Sequence, residues 1–167
     1  NLAAGETYVL VANGTVSPSG YNPVQPFNLD VFAGAEEASG NPANTNILVY
    51  HGATDAPTVD VVAGANTLVD DISYAEFDTD YLQLPTVDYV ISVTDATGAN
   101  TVASYSAPLA SLNLQGVSLV AVASGFLNPG NNSGGPNFGI WVSLPSGGNL
   151  IPLPVVTSIE NSNANAT

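Results

Sequence analysis

The segment GETYVLVANG, Gly5 to Gly14, returns without a gap as GVSLVAVASG, Gly116 to Gly125. Gly5/Gly116, Val9/Val120, Val11/Val122, Ala12/Ala123 and Gly14/Gly125 are identical, and the same offset of 111 residues continues through Pro18/Pro129, Phe27/Phe138 and Val31/Val142. An ungapped offset across two apolar runs and the long loop between them exceeds what shared composition produces, so it marks a domain period. A chain of 167 residues cannot hold two such periods. It holds one complete unit, residues 46–154, preceded by the last two strands of another. Residues 1–37 are then an orphan hairpin, residues 38–45 a linker and residues 155–167 a polar tail.

Strand signals run from end to end, as short Val, Ile, Leu, Thr and Tyr runs separated by Gly, Pro, Asn or Asp clusters. They predict strands at Thr7–Ala12, Phe27–Phe32, Asn46–His51, Thr58–Val62, Thr67–Ile72, Asp80–Leu84, Tyr89–Thr94, Thr101–Ala107, Ser118–Ser124 and Phe138–Leu144. No segment has a helical period, and only the short stretch near Ala33–Ala38 would tolerate a helix. The apolar fraction of 45% can fill a core, while charged residues make up only 8%. An ordinary soluble domain carries roughly a quarter. The fold class read from these features is all-β.

Two strands alone are marginal in water, so residues 1–37 must find a partner. They could be the end of a longer precursor, extra strands on this chain's own sheet, or a complement to another molecule's sheet. The complete unit already owns the equivalent strands at 118–124 and 138–144, so the hairpin is expected to be ordered and to need an edge elsewhere, above all in a neighbouring subunit. Thr7, Tyr8, Val9, Leu10, Val11, Phe27, Leu29 and Val31 are the candidate assembly residues. Strand addition to an exposed edge gives a dimer if the exchange closes and a filament if it does not.

The chain has no Lys and no Arg against 14 Asp and Glu, a formal charge of −14. Without a phosphate-neutralising side chain nucleic acid is excluded as a partner, and so is a polybasic grip on anionic lipid. The negative field attracts divalent or cationic partners and opposes close approach of like subunits. Trypsin-like proteases, which cut after Lys and Arg, find no site, as suits a long-lived exterior fibre or a limit fragment. There is no Cys, hence no disulfide or thiolate metal site. No run reaches the roughly 18 apolar residues of a membrane span, and no charged leader opens the sequence, which reads as a mature or trimmed soluble product.

The segment ILVYHGATDAPTVDVVAGANTLVDDISYAEFDTDYLQLP resembles the opening of the bacterial surface-domain family known as domain of unknown function 4397. The matching residues are Val49, His51, Asp55, Ala56, Pro57, Val59, Asp60 and Val61, followed by Tyr81, Leu82, Leu84, Pro85 and the strand Tyr89 to Val93. The chain departs from that pattern in lacking basic residues. The resemblance implies an Ig-like antiparallel β-sandwich on secreted or surface proteins, often in tandem and with no established activity. The tail VVTSIENSNANAT, Val155 to Thr167, is similar to the linker that precedes the sorting domain of Bacteroidota type IX secretion substrates. That similarity implies export to the cell surface.

His51, the only histidine, stands four residues before Asp55, a spacing that suggests a general base and its orienter. No Cys, Lys or Arg is present to help such a base, and a His bonding the following turn is the simpler reading. Asp55, Asp60, Asp70, Asp71, Asp78 and Asp80 fall within a short span, and carboxylates at strand ends are what Ca²⁺ requires. Their spacing fits no EF-hand, and Asx-turns would use the same residues. Asp60 alternates with Val59 and Val61, so if its face is covered it must be hydrogen-bonded or metal-bound. Glu36/Glu37 and Asp70/Asp71 are adjacent pairs, unsuited to a glycosidase dyad. Trp141 is a core residue or part of a sugar-binding platform. The expected protein is a non-enzymatic, secreted structural or adhesive component of a bacterial surface, a filament or array subunit joined to itself or to neighbouring surface proteins. The alternative is a carbohydrate-binding or accessory module of a secreted enzyme.

Overall fold

The computed structural model describes residues 2–157, and within them all ten predicted strands are present, each within two residues of its expected ends. In chain order they are β1 (Tyr8–Asn13), β2 (Asn28–Ala33), β3 (Asn44–His51), β4 (Val59–Ala63), β5 (Asn66–Ile72), β7 (Leu82–Pro85), β8 (Asp88–Asp95), β9 (Thr101–Pro108), β10 (Ser118–Ser124) and β11 (Gly139–Ser143). Two short strands were not predicted, β6 (Glu76–Phe77) and β12 (Ile151–Pro152). Two residues are too few to show an alternation. β3 takes Asn44 and Thr45, which the sequence assigned to the linker, because they pair with Pro85 and Leu84 of β7.

The complete unit is a sandwich of two sheets. One has the order β5-β4-β8-β9, and the other runs β12-β11-β10-β3-β6, with β7 pairing the same edge of β3 as β6. All pairs are antiparallel except β3 with β10, which run parallel over Asn46–His51 and Ser118–Ala123. This one parallel pair departs from the expected antiparallel sandwich, and no hairpin constrains it because the two strands are distant in sequence. Val59, Val69, Ile72, Val93 and Tyr105 of the four-stranded sheet pack with Ala123 and Ile140 of the other to form the core. Leu109, Leu114, Leu119 and Val142 extend it at one end. The segment Ala33–Ala38 is not a helix.

Residues 8–33 form a two-stranded sheet of their own. That sheet adds no strand to either sheet of the unit behind it, so the own-sheet option is corrected: the hairpin lies across the outer face of the six-stranded sheet as a third layer. The result is visible on β3, where Ile47 and Val49 face the sandwich core while Leu48 and Tyr50, on the opposite face, are 0% exposed. A strand covered on both sides is expected to read as a continuous apolar run, and Ile47-Leu48-Val49-Tyr50 does.

Candidate functional site

The hairpin is the structural counterpart of β10–β11. Under the 111-residue offset the ladders coincide: Val9 faces Phe32 as Val120 faces Ser143, Leu10 faces Val31 as Ala121 faces Val142, and Ala12 faces Leu29 as Ala123 faces Ile140. The loops coincide as well. The Thr15 amide donates to the Gln25 carbonyl at 2.8 Å, and the Phe126 amide to the Pro136 carbonyl at 2.9 Å. Gly14 and Gly125 take φ of +83° and +84°, and a Cβ at either would lie 2.2 or 2.3 Å from a carbonyl oxygen across the loop. Only glycine satisfies both conditions, which is why both survive in the repeat.

One face of the hairpin is bonded to the unit. The Tyr50 hydroxyl donates to Asp30 Oδ2 at 2.5 Å and accepts from Asn13 Nδ2 at 2.7 Å. Burial first, and then the Asp30 carboxylate, hold the Tyr50 phenol far above its usual range, so it stays a donor. Phe32 packs against Phe77 in a tilted pair at 5.5 Å and meets Tyr81 edge-on at 6.0 Å. Beyond β2, Glu36 accepts from Asn46 Nδ2 at 2.7 Å and Ser118 Oγ at 3.0 Å, while its amide donates to the Tyr81 hydroxyl. The two equivalent loops touch where the Asn22 amide donates to Asn132 Oδ1 at 2.9 Å and Ser133 Oγ to the Gly20 carbonyl at 2.7 Å. Sequence reasoning missed Asn13, Asp30, Phe32 and Glu36 as docking residues. Asp30, a lone acid in the apolar run of β2, is the signal that could have found them.

The candidate assembly residues divide by face. Val9 and Val11 point inward and line a cleft of about 400 Å³ with Tyr50, Val120, Val122 and Trp141. Leu10, Phe27, Leu29 and Val31 point outward and are 46–57% exposed, with Tyr8 half-buried on the same face and Thr7 exposed just before β1. Trp141 belongs neither to the sandwich core nor to an open platform. Its ring lies over Gly139, whose Cβ would meet it at 2.9 Å, on the side covered by the hairpin. Apart from Asn13, the Tyr50 hydroxyl, Ser124 and Ser143, side chains around this cleft are apolar, a poor match to a sugar's hydroxyls.

The six aspartates do not form one site. Asp60, Asp70 and Asp71 each bring a carboxylate oxygen within 4.8 Å of the others, Asp60 buried and the other two exposed. Asp60 lies opposite a bulge of β5, and its Oδ1 accepts from the Asp71 amide at 2.8 Å, with Asp71 at φ +55°. Its burial is thus met by a hydrogen bond. The donor set suits a hard cation such as Ca²⁺ by its chemistry, since all three ligands are carboxylates. Asp78 and Asp80 bond the amides of Thr79 and Tyr81 in turns. Asp55 caps the β10–β11 loop, accepting from the amides of Leu127 and Asn128 at 2.8 Å each and from Asn132 Nδ2 at 3.0 Å.

Asp55 therefore does not orient His51. The imidazole is 1% exposed, its Nε2 bonds the Pro57 carbonyl at 3.0 Å, and its Nδ1 accepts from the Ala53 amide at 3.3 Å. Those partners fix Nε2 as the protonated nitrogen. Burial pushes its pKa below the ordinary value of 6.5. A buried neutral imidazole with both nitrogens bound to backbone holds the turn from β3 towards Asp55-Ala56-Pro57. Glu36 and Glu37 are split in the same way, one bound and one exposed. Ser158 to Thr167, most of the tail that is similar to a type IX linker, lie outside the described residues.

A family model described as Domain of unknown function (DUF4397) matches residues 45–130. Neither the curated proteins nor the solved structures give a match. The matched stretch takes in more than half of the chain, from β3 through the His51 turn to the loop that Asp55 caps, and the protein belongs to the DUF4397 family.

Proposed function

We propose that this protein is a non-enzymatic structural or adhesive component of a bacterial surface, exported from the cell, whose units are joined into a filament or array through the 8–33 hairpin. The observation that carries the reading is the two-sided hairpin: one face bonded to its own unit where Asn13 and Asp30 meet Tyr50, the other apolar and open to solvent. An apolar face kept on an otherwise acidic surface is a place for association. With formal charge −14, joining through such a face keeps the acids of neighbouring molecules at the periphery. His51, bound at both nitrogens, supports the non-enzymatic part.

The test is immunogold electron microscopy of the producing cells. The native chain is expected in ordered surface polymers, and the variant Leu29→Asp/Val31→Asp is expected to be folded but shed as a monomer. Native protein found only in the medium, or incorporation that ignores the double substitution, would remove the reading.

A further inference from the structure

The outward face of the hairpin is half of a sandwich core. Tyr8, Leu10, Ala12, Phe27, Leu29 and Val31 correspond by the 111-residue offset to Leu119, Ala121, Ala123, Phe138, Ile140 and Val142. In the complete unit Leu119, Ala123, Ile140 and Val142 are 3–8% exposed, with Ala121 and Phe138 packed against the same core. In the hairpin their counterparts Leu10, Phe27, Leu29 and Val31 stand 46–57% exposed. Three of the six positions are identical, none is charged, and the register is the same at every ladder pair. β1 is also apolar on both faces, the pattern of a strand covered twice.

The geometry points to one occupant for this face: the strand set equivalent to β3–β9 of another unit of the same fold, for which residues 8–33 are the missing counterpart of β10–β11. The inference rests on the reading of the hairpin as the joint between units and names what the joint holds. A complete second copy of this chain does not fit, because its own β10–β11 already fills the slot. The hairpin would then serve two sandwiches at once, as the closing strand pair of one and the outer layer of the next. Its inward Val9 and Val11 lie across a cleft from Val120 and Val122, their own counterparts, and the two loops meet at the same end. Two such units would thus sit back to back about a local two-fold axis along the strands.

The test extends the full chain by placing a second copy of residues 44–115 ahead of Gly5, so that the junction repeats the natural step from Gln115 to Gly116. The protein has no cysteine, so the probe of the face is a single thiol introduced by Val31→Cys. In the unextended chain it is expected to react like a free thiol. In the extended chain its reaction is expected to slow about a hundredfold, as for a core site that reacts only on opening. The amides of the added segment should become protected as well. Because Tyr8, Leu10 and Leu29 differ from Leu119, Ala121 and Ile140, the extended chain is also made with Tyr8→Leu/Leu10→Ala/Leu29→Ile, which restores side chains that already fit this four-stranded sheet. A thiol that stays reactive in both extended chains overturns the proposal. So does a thiol already protected in the unextended chain with a doubled mass by light scattering, which would show that a second copy stacks on the face. Surface polymers in cells together with a reactive thiol would remove this occupant and leave the structural role standing.

Discussion

The Tyr50 hydroxyl donates to the Asp30 carboxylate at 2.5 Å, tying an interior strand of the six-stranded sheet to the hairpin laid across it. The same hydroxyl accepts from Asn13 Nδ2, so one phenol serves both hairpin strands. Tyr50→Phe keeps the ring against Phe77 and leaves buried Asn13 Nδ2 with only the long 3.4 Å bond to Asp30, which keeps Asn28 as its other donor. The expected loss is about 1–3 kcal/mol in urea unfolding. In hydrogen exchange the amides of β1 and β2 should lose protection while those of β8 and β9 keep theirs. Unchanged protection of β1 and β2 would mean that packing alone holds the hairpin.

Asp55→Ala leaves the amides of Leu127 and Asn128 and the side chain of Asn132 without their carboxylate. Water reaches part of this loop, so the expected cost is about 2 kcal/mol, at the lower end for three charge-assisted bonds. Asp55→Asn, which keeps one acceptor oxygen, should fall between. Equal denaturation midpoints for all three chains would show that the DAP turn does not hold the loop.

Gly125→Ala and Gly34→Ala separate two glycine roles. Gly34, at φ +80°, has open space where a Cβ would sit, so alanine there bears only the left-handed backbone cost of about 1 kcal/mol. Gly125 adds a Cβ 2.3 Å from the Asn137 carbonyl oxygen, which backbone must move to relieve. For a chain of this size about 1 kcal/mol shifts the melting temperature by roughly 2–4 °C. Gly34→Ala should stay within that shift and Gly125→Ala should exceed it severalfold. Gly14→Ala is expected to loosen the hairpin while leaving the sandwich melt in place.

The strands were legible in the sequence because they are bounded by Gly, Pro and Asx turns and because the repeat marks one strand pair twice, while the sandwich is what the family resemblance implies. The hairpin's identity was legible for the same reason, down to Gly14 and Gly125. Its docking mode was not. The edge expected for it lies in a neighbouring subunit, whereas its contact with its own unit is made by a face, and faces are read from alternation. The run Ile47-Leu48-Val49-Tyr50 carried that information, since no strand with one wet face needs Leu48 and Tyr50. The aspartates were read as one set on sequence proximity alone. A β-sheet sends residues at neighbouring turns to different ends and faces, so only Asp60, Asp70 and Asp71, joined by the bulge of β5, came together.

His51 gives the chain an acid-sensitive step. Burial holds its folded pKa below 6.5, so the folded state resists a proton that the unfolded chain accepts. The stability it contributes is therefore complete above about pH 6.5 and is lost as the pH falls from there toward the folded value, by at most about 1.4 kcal/mol per pH unit for one proton. Asp88 and Asp95, lowered by bonds to Ser111 and to Thr97 and Asn100, act in the same direction only below 3.8, Asp95 down to about 2. Urea midpoints between pH 7.5 and 5 isolate the histidine. His51→Gln should start less stable and show a flat profile there. A variant as steep as the parent would assign the slope to another group.

Fourteen acids without a single Lys or Arg repel one another across the whole surface, and the carboxylates here are met by N–H and O–H donors that carry no charge. Mobile cations are the only screening available, so the melting temperature should rise with NaCl from about 10 to 500 mM, as the screening length falls from roughly 30 Å to a few ångström. Millimolar Ca²⁺ at matched ionic strength then isolates the Asp60, Asp70 and Asp71 group. A rise beyond NaCl that disappears in EDTA and in Asp70→Asn/Asp71→Asn would locate a bound ion there, through the mass-action gain of a ligand held only by the folded state. Equal melting in the two salts would leave screening as the whole effect and the Asp60 carboxylate as the cap of a bulge. A melting temperature that ignores salt altogether would show that these acids are already too far apart, on the three layers of the molecule, to repel.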